Sequence, residues 1–347
     1  HKAVLPSGKK VVVKVQRPHL ENIIMTDLDI LYDLARLVES RIEESKLYDP
    51  TGIVEEFSKV IHKEIDFLHE GRNAEIFKRN FKDDPTVYIP EVYWDLSTSK
   101  VLTMELIDGV KISNLKRFEE MGFDRKIIAL RGANFILKQI FEFGFFHADP
   151  HPGNIFVIED NVIVPIDYGM MGRLDDETME QLSNMLIGVF KKDINRIIKS
   201  FIGMGIIDSG LDVRELKLDI SDFIEQYYQV PLNRLDIGRV INDGMKTLRK
   251  HRIRLPSDVV IMGKALVTSE GVARELDSEF DMMTQVRPYM EKMMLKKISL
   301  SRHSKNLVNI LEDIYELLQV FPSNIKEILA KVNRGDINIK FEHRGLN

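Results

Sequence analysis

The sequence contains no cysteine and a single tryptophan among its 347 residues. The absence of cysteine excludes disulfides, cysteine-ligated zinc, iron–sulfur clusters and a thiol nucleophile, and it is typical of proteins from a reducing compartment. Any chemistry must therefore come from carboxylates, amides, lysines and histidines. No run of about 18 uninterrupted apolar residues occurs, so nothing in the sequence predicts a membrane-spanning helix.

Excess positive charge is also absent, because 49 Lys and Arg stand against 54 Asp and Glu and give a net charge of −5. Without a global positive field, nucleic acid is not expected as a partner. Hydrophobic residues make up 44% of the chain and charged residues 30%, which is typical of a globular protein. The chain begins at His1 without the charged and apolar pattern of a leader, so no signal peptide is predicted.

Hydrophobic periodicity predicts an α+β protein, and 347 residues suffice for about two domains or two lobes that share one cleft. Residues 1–106 predict a small strand-rich lobe that also carries two helices. Its predicted elements are two strands around a Pro-Ser-Gly turn within 1–16, helices at 20–44 and 52–81, and strands at 87–95 and 100–106.

Residues 107–347 predict a larger and mainly helical lobe. A helix is predicted over 124–143, and a polar loop occupies 147–154. Two short apolar runs then predict a β-hairpin over 155–166. After Gly172 the periodicity is helical nearly to the end of the chain.

Three polar residues around this hairpin form the strongest local pattern. Asn154 follows Asp149 by five residues on a loop stiffened by two prolines and a glycine, and Asp167 follows Asn154 by thirteen residues across the hairpin. Phosphoryl transfer needs such a set, with one carboxylate to orient or deprotonate the attacking hydroxyl and an Asn with a second Asp to hold Mg²⁺. The alternative is that Asp149 and Asn154 cap a turn and Asp167 starts a helix, but the joint spacing favours catalysis.

Lys14 lies in an otherwise apolar strand, and this placement predicts a lysine that points into the cleft. Such a lysine holds the α- and β-phosphates of a nucleotide when a carboxylate orients it. On one continuous helix Asp66 and Glu70 share a face, whereas Glu64 lies about 120° from Glu70, so Glu70 is predicted to pair with Lys14. An edge-strand lysine that hinders aggregation and a solvated, charge-rich helix face remain the alternatives.

Together these residues resemble the UbiB/AarF (ADCK-like) family of atypical kinases. The resemblance extends over nearly the whole chain, including the segments that carry Lys14, Asp149 and Asp167. The helix predicted over 20–44 supports it, because ordinary protein kinases lack this insert. The resemblance implies a two-lobed protein-kinase-like fold. In such a fold Lys14 would contact phosphate and Glu70 would pair with it. Asp149 would be the base, and Asn154 and Asp167 would be the two magnesium ligands.

The resemblance also implies roles for residues outside this set. Glu64 and Asp66 match the family's Glu-x-Asp motif and are expected to be regulatory. The strand end at Glu105 to Ile107 occupies the position of a kinase hinge, whose backbone groups bind adenine, although a plain strand end accounts for these residues equally well. The implied cofactors are ATP and Mg²⁺, and the implied enzyme is a phosphotransferase or ATPase.

Two departures from ordinary protein kinases bear on the acceptor. His151 stands where Ser/Thr kinases commonly carry a lysine, and helical periodicity resumes at Asp175 without room for a peptide-binding segment. A small or lipid-like acceptor is therefore expected and, by resemblance, a link to ubiquinone biosynthesis or lipid homeostasis with quinone-biosynthesis proteins as partners. The alternatives are a small-molecule phosphotransferase of the aminoglycoside or choline kinase type and a nucleotide-gated lipid or protein binding module without transfer.

The expected location is cytoplasmic, with a membrane reached peripherally or through anchoring segments outside these residues, as in relatives with C-terminal membrane helices. Residues 289–298 interleave Met and Leu with Lys, which suits an interfacial helix. Methionine at helical spacing is more often core filler, so the buried alternative is favoured for this stretch.

Overall fold

The structure is a computed structural model, and it describes residues 1–42, 49–207, 212–228 and 236–293. Residues 1–290 form one compact unit, which includes all of the predicted small lobe and most of the predicted helical lobe. A second unit comprises 291–347, and of its residues only 291–293 are described. The predicted boundary between the lobes at residue 106 stays a prediction.

A three-stranded antiparallel sheet lies at the start of the small lobe. Strands β1 (Lys2–Val4), β2 (Lys10–Val15) and β3 (Val101–Glu105) pair in this order, with Lys14 opposite Leu102. Gly8 adopts φ +82° in the predicted turn between β1 and β2, a backbone conformation that a residue without Cβ adopts without strain. The strands predicted within 1–16 and at 100–106 are thereby confirmed.

Three helices connect β2 to β3 along the chain: α1 (Leu20–Arg41), α2 (Pro50–Glu64) and α3 (Phe67–Asn80). The inserted helix is confirmed, but the prediction of one helix over 52–81 is wrong. Asp66 has extended backbone angles, and its carboxylate accepts a hydrogen bond from the N–H of Leu68 at 3.0 Å. Aspartate is among the preferred residues for capping a helix N-terminus, and here this local preference overrides a hydrophobic period that continues across the break.

The strand predicted at 87–95 is also wrong. Val87 and Val92 form only isolated bridges, and a short 3₁₀ helix occupies Trp94–Leu96. Pro90 lies in the middle of this segment and has no N–H to donate, so a continuous hydrogen-bonded ladder cannot pass through it.

The helical lobe begins with β4 (Val110–Lys111), α4 (Leu115–Met121) and α5 (Arg125–Lys138). The helix predicted over 124–143 is confirmed, and its last turn, Gln139–Phe143, is a π-helix. The rest of the described lobe consists of β5 (Phe145–His147), β6 (Ile155–Ile158), β7 (Val162–Pro165), β8 (Met171–Arg173), α6 (Asp176–Lys191), α7 (Ile194–Gly203), α8 (Arg214–Tyr228), α9 (Ile237–Lys250) and α10 (Ser257–Leu276).

The predicted hairpin is formed by β6 and β7, whose antiparallel register pairs Ile155 with Pro165. β4 extends this sheet on the β6 side, and β5 pairs with β8 in a separate two-stranded sheet. The hairpin therefore separates the predicted catalytic loop from the predicted metal-binding aspartate, with both at the same end of the sheet.

The largest buried core joins α3 to the helical lobe. Phe77 of α3 is 1% exposed, and its ring lies between 5.5 and 6.1 Å from the ring centroids of four aromatic residues. These are Phe81, Phe135, Phe145 and Tyr168. The helix that carries Glu70 is thus packed directly against the segment that carries Asp167.

No helix within the described ranges is both long enough and apolar enough to cross a bilayer. Of the Met- and Lys-containing stretch 289–298, only 289–293 belong to the described part of the chain. Met290 is buried in the largest core cluster, which agrees with the core-filler alternative for that residue.

Candidate active site

Lys14 and Glu70 form an ion pair between β2 and the first turn of α3. The Lys14 side chain is 29% exposed and the Glu70 side chain 7% exposed. Lys14 Nζ also donates a hydrogen bond to the carbonyl oxygen of Ile166 at 3.1 Å. Burial raises the pKa of Glu70, and the opposite charge of Lys14 counteracts this rise. The lysine is therefore held at the edge of the cleft, beside the residue that precedes Asp167.

Asn154 and Asp167 lie side by side at the base of the hairpin. Asn154 Nδ2 donates to Asp167 Oδ2 at 3.0 Å, and the N–H of Ile166 donates to the carbonyl of Asn154 at 3.0 Å. The second carboxylate oxygen, Asp167 Oδ1, accepts the N–H of Gly169 at 3.0 Å. The side chains of two residues thirteen apart in sequence are thus in direct contact, as the spacing predicts.

This pair fits Mg²⁺ by the chemistry of its donors, since magnesium prefers oxygen ligands and accepts carboxylates and amide carbonyls. Within the described residues, no cluster of three or more His, Asp or Glu side chains forms a metal cage made by the protein alone. Magnesium in nucleotide sites usually takes one or two carboxylates from the protein and completes its coordination with phosphates and water. A donor set of one amide and one carboxylate therefore suits a metal that arrives with a nucleotide.

Asp149 is held by the backbone of the loop that follows β5. Its N–H donates to His147 Nδ1 at 3.0 Å, and the N–H of His147 donates to Gln139 Oε1 at 2.8 Å. His147 is buried, and burial lowers its pKa, which favours the neutral imidazole that an accepting Nδ1 requires. The Asp149 side chain itself is 43% exposed and lies 3.5 Å from Lys264 Nζ on α10.

Tyr168, between Asp167 and Gly169, is clamped by α3 through both of its backbone groups. Its N–H donates to Glu70 Oε1 at 3.4 Å, and its carbonyl accepts from Asn73 Nδ2 at 2.8 Å. The phenol hydroxyl donates to the carbonyl of Pro165 at 2.7 Å. Glu70 therefore has two partners, Lys14 and the N–H of Tyr168, and Asn73 fixes the next peptide group, between Tyr168 and Gly169.

Glu64 and Asp66 lie in different surroundings, and their regulatory role stays a prediction. Asp66 caps α3, as described above. Glu64 lies over the backbone of Gly169, where a Cβ would come within 2.5 Å of Glu64 Oε1 and would displace the carboxylate. Burial and the neighbouring charges of Asp167, Glu70 and Asp149 raise the pKa of Glu64 to about 7, against the opposing effect of the Lys14 charge. Of the two side chains, Glu64 is the one that lies against the segment after Asp167.

Replacing Glu64 by Gln is expected to stabilise the protein at alkaline pH. The pKa of Glu64 rises from 4.5 to about 7 on folding, so ionising this group in the folded protein costs at most about 3 kcal/mol, and solvent around this half-buried group reduces the cost. The stabilising contribution of the neutral acid is complete below the ordinary pKa and is lost as pH rises from 4.5 to about 7. The gain in the free energy of unfolding for Glu64→Gln should therefore be small near pH 4.5 and constant above pH 7, as measured by urea denaturation.

The matched control for this experiment is Glu55→Gln on the same helix, where the carboxylate is 61% exposed and paired with Lys59. It should change stability little at any pH, because exposed ion pairs contribute little. A gain for Glu64→Gln that does not vary with pH would contradict the burial of an ionisable carboxyl at this position.

Glu105 and Ile107 lie at the end of β3, apart from the cluster around Asp167. The Glu105 side chain accepts hydrogen bonds from the Tyr88 hydroxyl at 2.7 Å and the N–H of Glu91 at 3.2 Å. Burial and this hydrogen bond raise the pKa of Tyr88 to about 12. The N–H of Ile107 donates to no other group in the described part of the chain.

Several residues at the site were not singled out from the sequence. Asn73 lies three positions after Glu70, a spacing that places both on one helix face and could have indicated it. Gln139 and Lys264 carry no such signal, because their partners His147 and Asp149 are joined to them only by the fold.

This chain matches two protein domain families, and several known proteins match it over nearly its whole length. Residues 1–201 match the ABC1 atypical kinase-like domain, and residues 220–281 match the UbiB helical domain. The probable protein kinase UbiB of Azotobacter vinelandii is 34% identical over 332 residues, which cover 94% of this chain and 62% of that protein. The protein sll1770 of Synechocystis sp. is 33% identical over 348 residues, which cover 98% of this chain and 59% of that protein.

A solved structure gives an independent comparison of the fold. The complex of Rv3197 with erythromycin from Mycobacterium tuberculosis aligns with a TM-score of 0.58 and 22% identity, over 80% of this chain and 70% of that one. The matching domains cover more than half of the chain, and the α+β, protein-kinase-like architecture is confirmed. This chain belongs to the ABC1 atypical kinase-like family, as the resemblance to UbiB/AarF kinases predicts.

Proposed function

We propose that this chain binds Mg-ATP in the cleft and either hydrolyses it or transfers its γ-phosphoryl group to a small or lipid-like acceptor. The observation that carries the proposal is the direct link between the two halves of the cleft. Lys14, paired with Glu70, donates to the carbonyl of Ile166, and the next residue, Asp167, lies beside Asn154. A phosphate-binding lysine and a magnesium-binding pair meet at one point, which is the arrangement that phosphoryl transfer requires.

Each residue has a separate task in this proposal. Lys14 neutralises the α- and β-phosphates, and Glu70 holds it in position by accepting its charge. Asn154 and Asp167 would hold Mg²⁺, which when bound neutralises charge on the phosphate oxygens. Asp149 orients the attacking hydroxyl and accepts its proton, and the bond from its own N–H to His147 fixes its loop.

The N–H of Ile107 supports an adenine site at the strand end after β3. It has no hydrogen-bonding partner within the described residues, and a buried adenine needs such a donor for a ring nitrogen. Glu105 contributes through the backbone, because its carboxylate already accepts from Tyr88 and Glu91.

The short connection after Asp167 supports a small or lipid-like acceptor. β8 begins at Met171 and α6 at Asp176, which leaves no long segment on which an extended peptide could dock. By resemblance, the acceptor or the partner proteins belong to ubiquinone biosynthesis or lipid homeostasis at a membrane. A small-molecule phosphotransferase of the aminoglycoside or choline kinase type, whose catalytic loop the segment 147–154 also resembles, is the second candidate.

The melting temperature with and without nucleotide tests the proposal. ATP and ADP should raise it in the presence of Mg²⁺, because a ligand that binds only the folded state stabilises that state. Asp167→Asn should remove the magnesium-dependent part of the rise. Asp212→Asn is the control, since this exposed aspartate pairs with Arg214 away from the cleft and should leave the response intact. No rise in the unaltered protein, or an equal rise in Asp167→Asn, would refute the proposed site.

A further inference from the structure

Lys264 of α10 reaches the predicted catalytic loop from the helical part of the chain. Its Nζ lies 3.5 Å from Asp149 Oδ1, with the lysine side chain 60% exposed and the aspartate side chain 43% exposed. α10 lies within residues 220–281, which match the UbiB helical domain, whereas Asp149 lies within the kinase-like match over 1–201. A segment outside the kinase-like match therefore supplies a cation next to the predicted base.

The helix that carries this lysine is firmly anchored. Val259, Ala265 and Leu266 of α10 are buried in the same core cluster as Phe77. The two neighbours of Lys264 in sequence, Gly263 and Ala265, are buried as well. The backbone of Lys264 is thus fixed by packing, while its exposed side chain leaves room for the ammonium group to change partners. A charged group on a rigid element is well suited to catalysis.

The catalytic loop itself provides no cation on this side of the cleft. Only Pro150, His151, Pro152 and Gly153 stand between Asp149 and Asn154. His151 Nδ1 accepts the N–H of Gly153 at 3.0 Å, so one ring nitrogen is engaged by its own loop. Lys14 is engaged by Glu70 and by the carbonyl of Ile166. Besides the Mg²⁺ of the proposed function, Lys264 is a side-chain cation that lies beside the predicted base, where the γ-phosphoryl group gathers charge during transfer.

We propose that Lys264 is a catalytic residue whose ammonium group contacts the γ-phosphoryl group of ATP, an inference that rests on the proposed function. In the transfer step Asp149 takes the proton of the acceptor hydroxyl or water, and the acceptor oxygen forms a bond to the γ-phosphorus. The bond from that phosphorus to the β,γ-bridging oxygen breaks, and ADP leaves with its electron pair. Lys264 stays protonated throughout and stabilises the charge on the transferred group.

The ion pair with Asp149 describes the cleft before nucleotide binds. When ATP enters, the ammonium group moves from the carboxylate to the γ-phosphate, and the carboxylate is released toward the acceptor. ADP, which has no γ-phosphate, gains nothing from this contact. Loss of the Lys264 ammonium group should therefore weaken the binding of ATP and leave the binding of ADP unchanged, and this difference defines the test.

The test compares Lys264→Met and Lys264→Arg with the unaltered chain and with Lys246→Met as control. Lys246 is an exposed lysine of α9, paired with Asp243 in the helical domain. Lys264→Met should lower ATP turnover about 100-fold, the usual effect of removing one group that stabilises transition-state charge, and Lys264→Arg should restore part of it. The extra rise in melting temperature with Mg-ATP over Mg-ADP should disappear in Lys264→Met, while the rise with Mg-ADP stays unchanged.

The same measurement with Asp149→Asn as background separates a contact with phosphate from a mere positioning of Asp149. If Lys264 touches the nucleotide, adding Lys264→Met to Asp149→Asn still reduces the rise in melting temperature with Mg-ATP relative to the rise with Mg-ADP. An unchanged preference for ATP in the double variant, or a faster turnover of Lys264→Met alone, would overturn the proposal. If the unaltered chain itself shows no magnesium-dependent response to either nucleotide, the proposed function fails first and this inference falls with it.

Discussion

Asp149→Asn is expected to lower turnover about 10²- to 10⁴-fold, the usual contribution of a positioned general base, while Mg-ATP still stabilises the protein. The amide keeps the shape of the side chain and cannot accept the proton of the acceptor. Lys14, Asn154 and Asp167 are untouched by this change, so nucleotide and metal binding should persist. ADP formation in the steady state and the melting temperature with Mg-ATP measure the two properties separately.

Asp160→Asn provides a matched control for this variant. Asp160 lies in the turn of the β6–β7 hairpin with φ +59°, a left-handed conformation that asparagine also tolerates. It should leave turnover unchanged. Undiminished turnover in Asp149→Asn would contradict the assignment of the base. Unchanged biological function despite lost turnover would instead favour the nucleotide-gated binding module. In that module ATP closes the cleft, and a lipid or protein binds to the closed form.

Phe77→Ala is expected to have the largest effect on stability, with a loss of about 3–5 kcal/mol in the free energy of unfolding. Phe77 is 1% exposed and contacts four aromatic rings, so the truncation leaves a cavity that a close-packed core closes only in part. The variant also removes the ring contact to Tyr168 at 5.5 Å. Urea denaturation measures the loss, and the response to Mg-ATP should weaken as the segment around Asp167 loses its support.

Phe57→Ala is the control for this change. Phe57 is a phenylalanine on α2 that is 46% exposed, so its truncation should alter stability by less than about 1 kcal/mol. Equal losses for the two variants would show that the aromatic cluster under the cleft is not the main source of stability in this part of the fold.

The residues that sequence spacing could predict are those fixed by short-range geometry. Asp149, Asn154 and Asp167 lie on one loop and one hairpin, so their separation along the chain constrains their separation in space. Lys14 and Glu70 are far apart in sequence but occur where the kinase pattern requires them, and the structure pairs them. Their catalytic roles stay predictions until turnover is measured.

The predictions that failed did so where one residue outweighed a regular pattern. A period of apolar residues continues from α2 into α3, yet the capping preference of Asp66 divides the helix. Apolar residues around Pro90 suggest a strand, yet the missing N–H prevents the ladder. Lys264 could not be found from the sequence, because its relation to Asp149 depends on how α10 packs, and packing is decided by the whole core.

The clamp on Tyr168 has a consequence for the design of inhibitors. Some ligands of kinase-like clefts require the metal-binding aspartate segment to swing outward and open a pocket behind it. Here that movement would break the bonds from Tyr168 to Glu70 and to Asn73 and withdraw a fully buried ring from its aromatic contacts. Each buried polar group left without a partner costs about 1–3 kcal/mol. Compounds that bind while Tyr168 stays buried are therefore the better starting point for inhibitors of this protein.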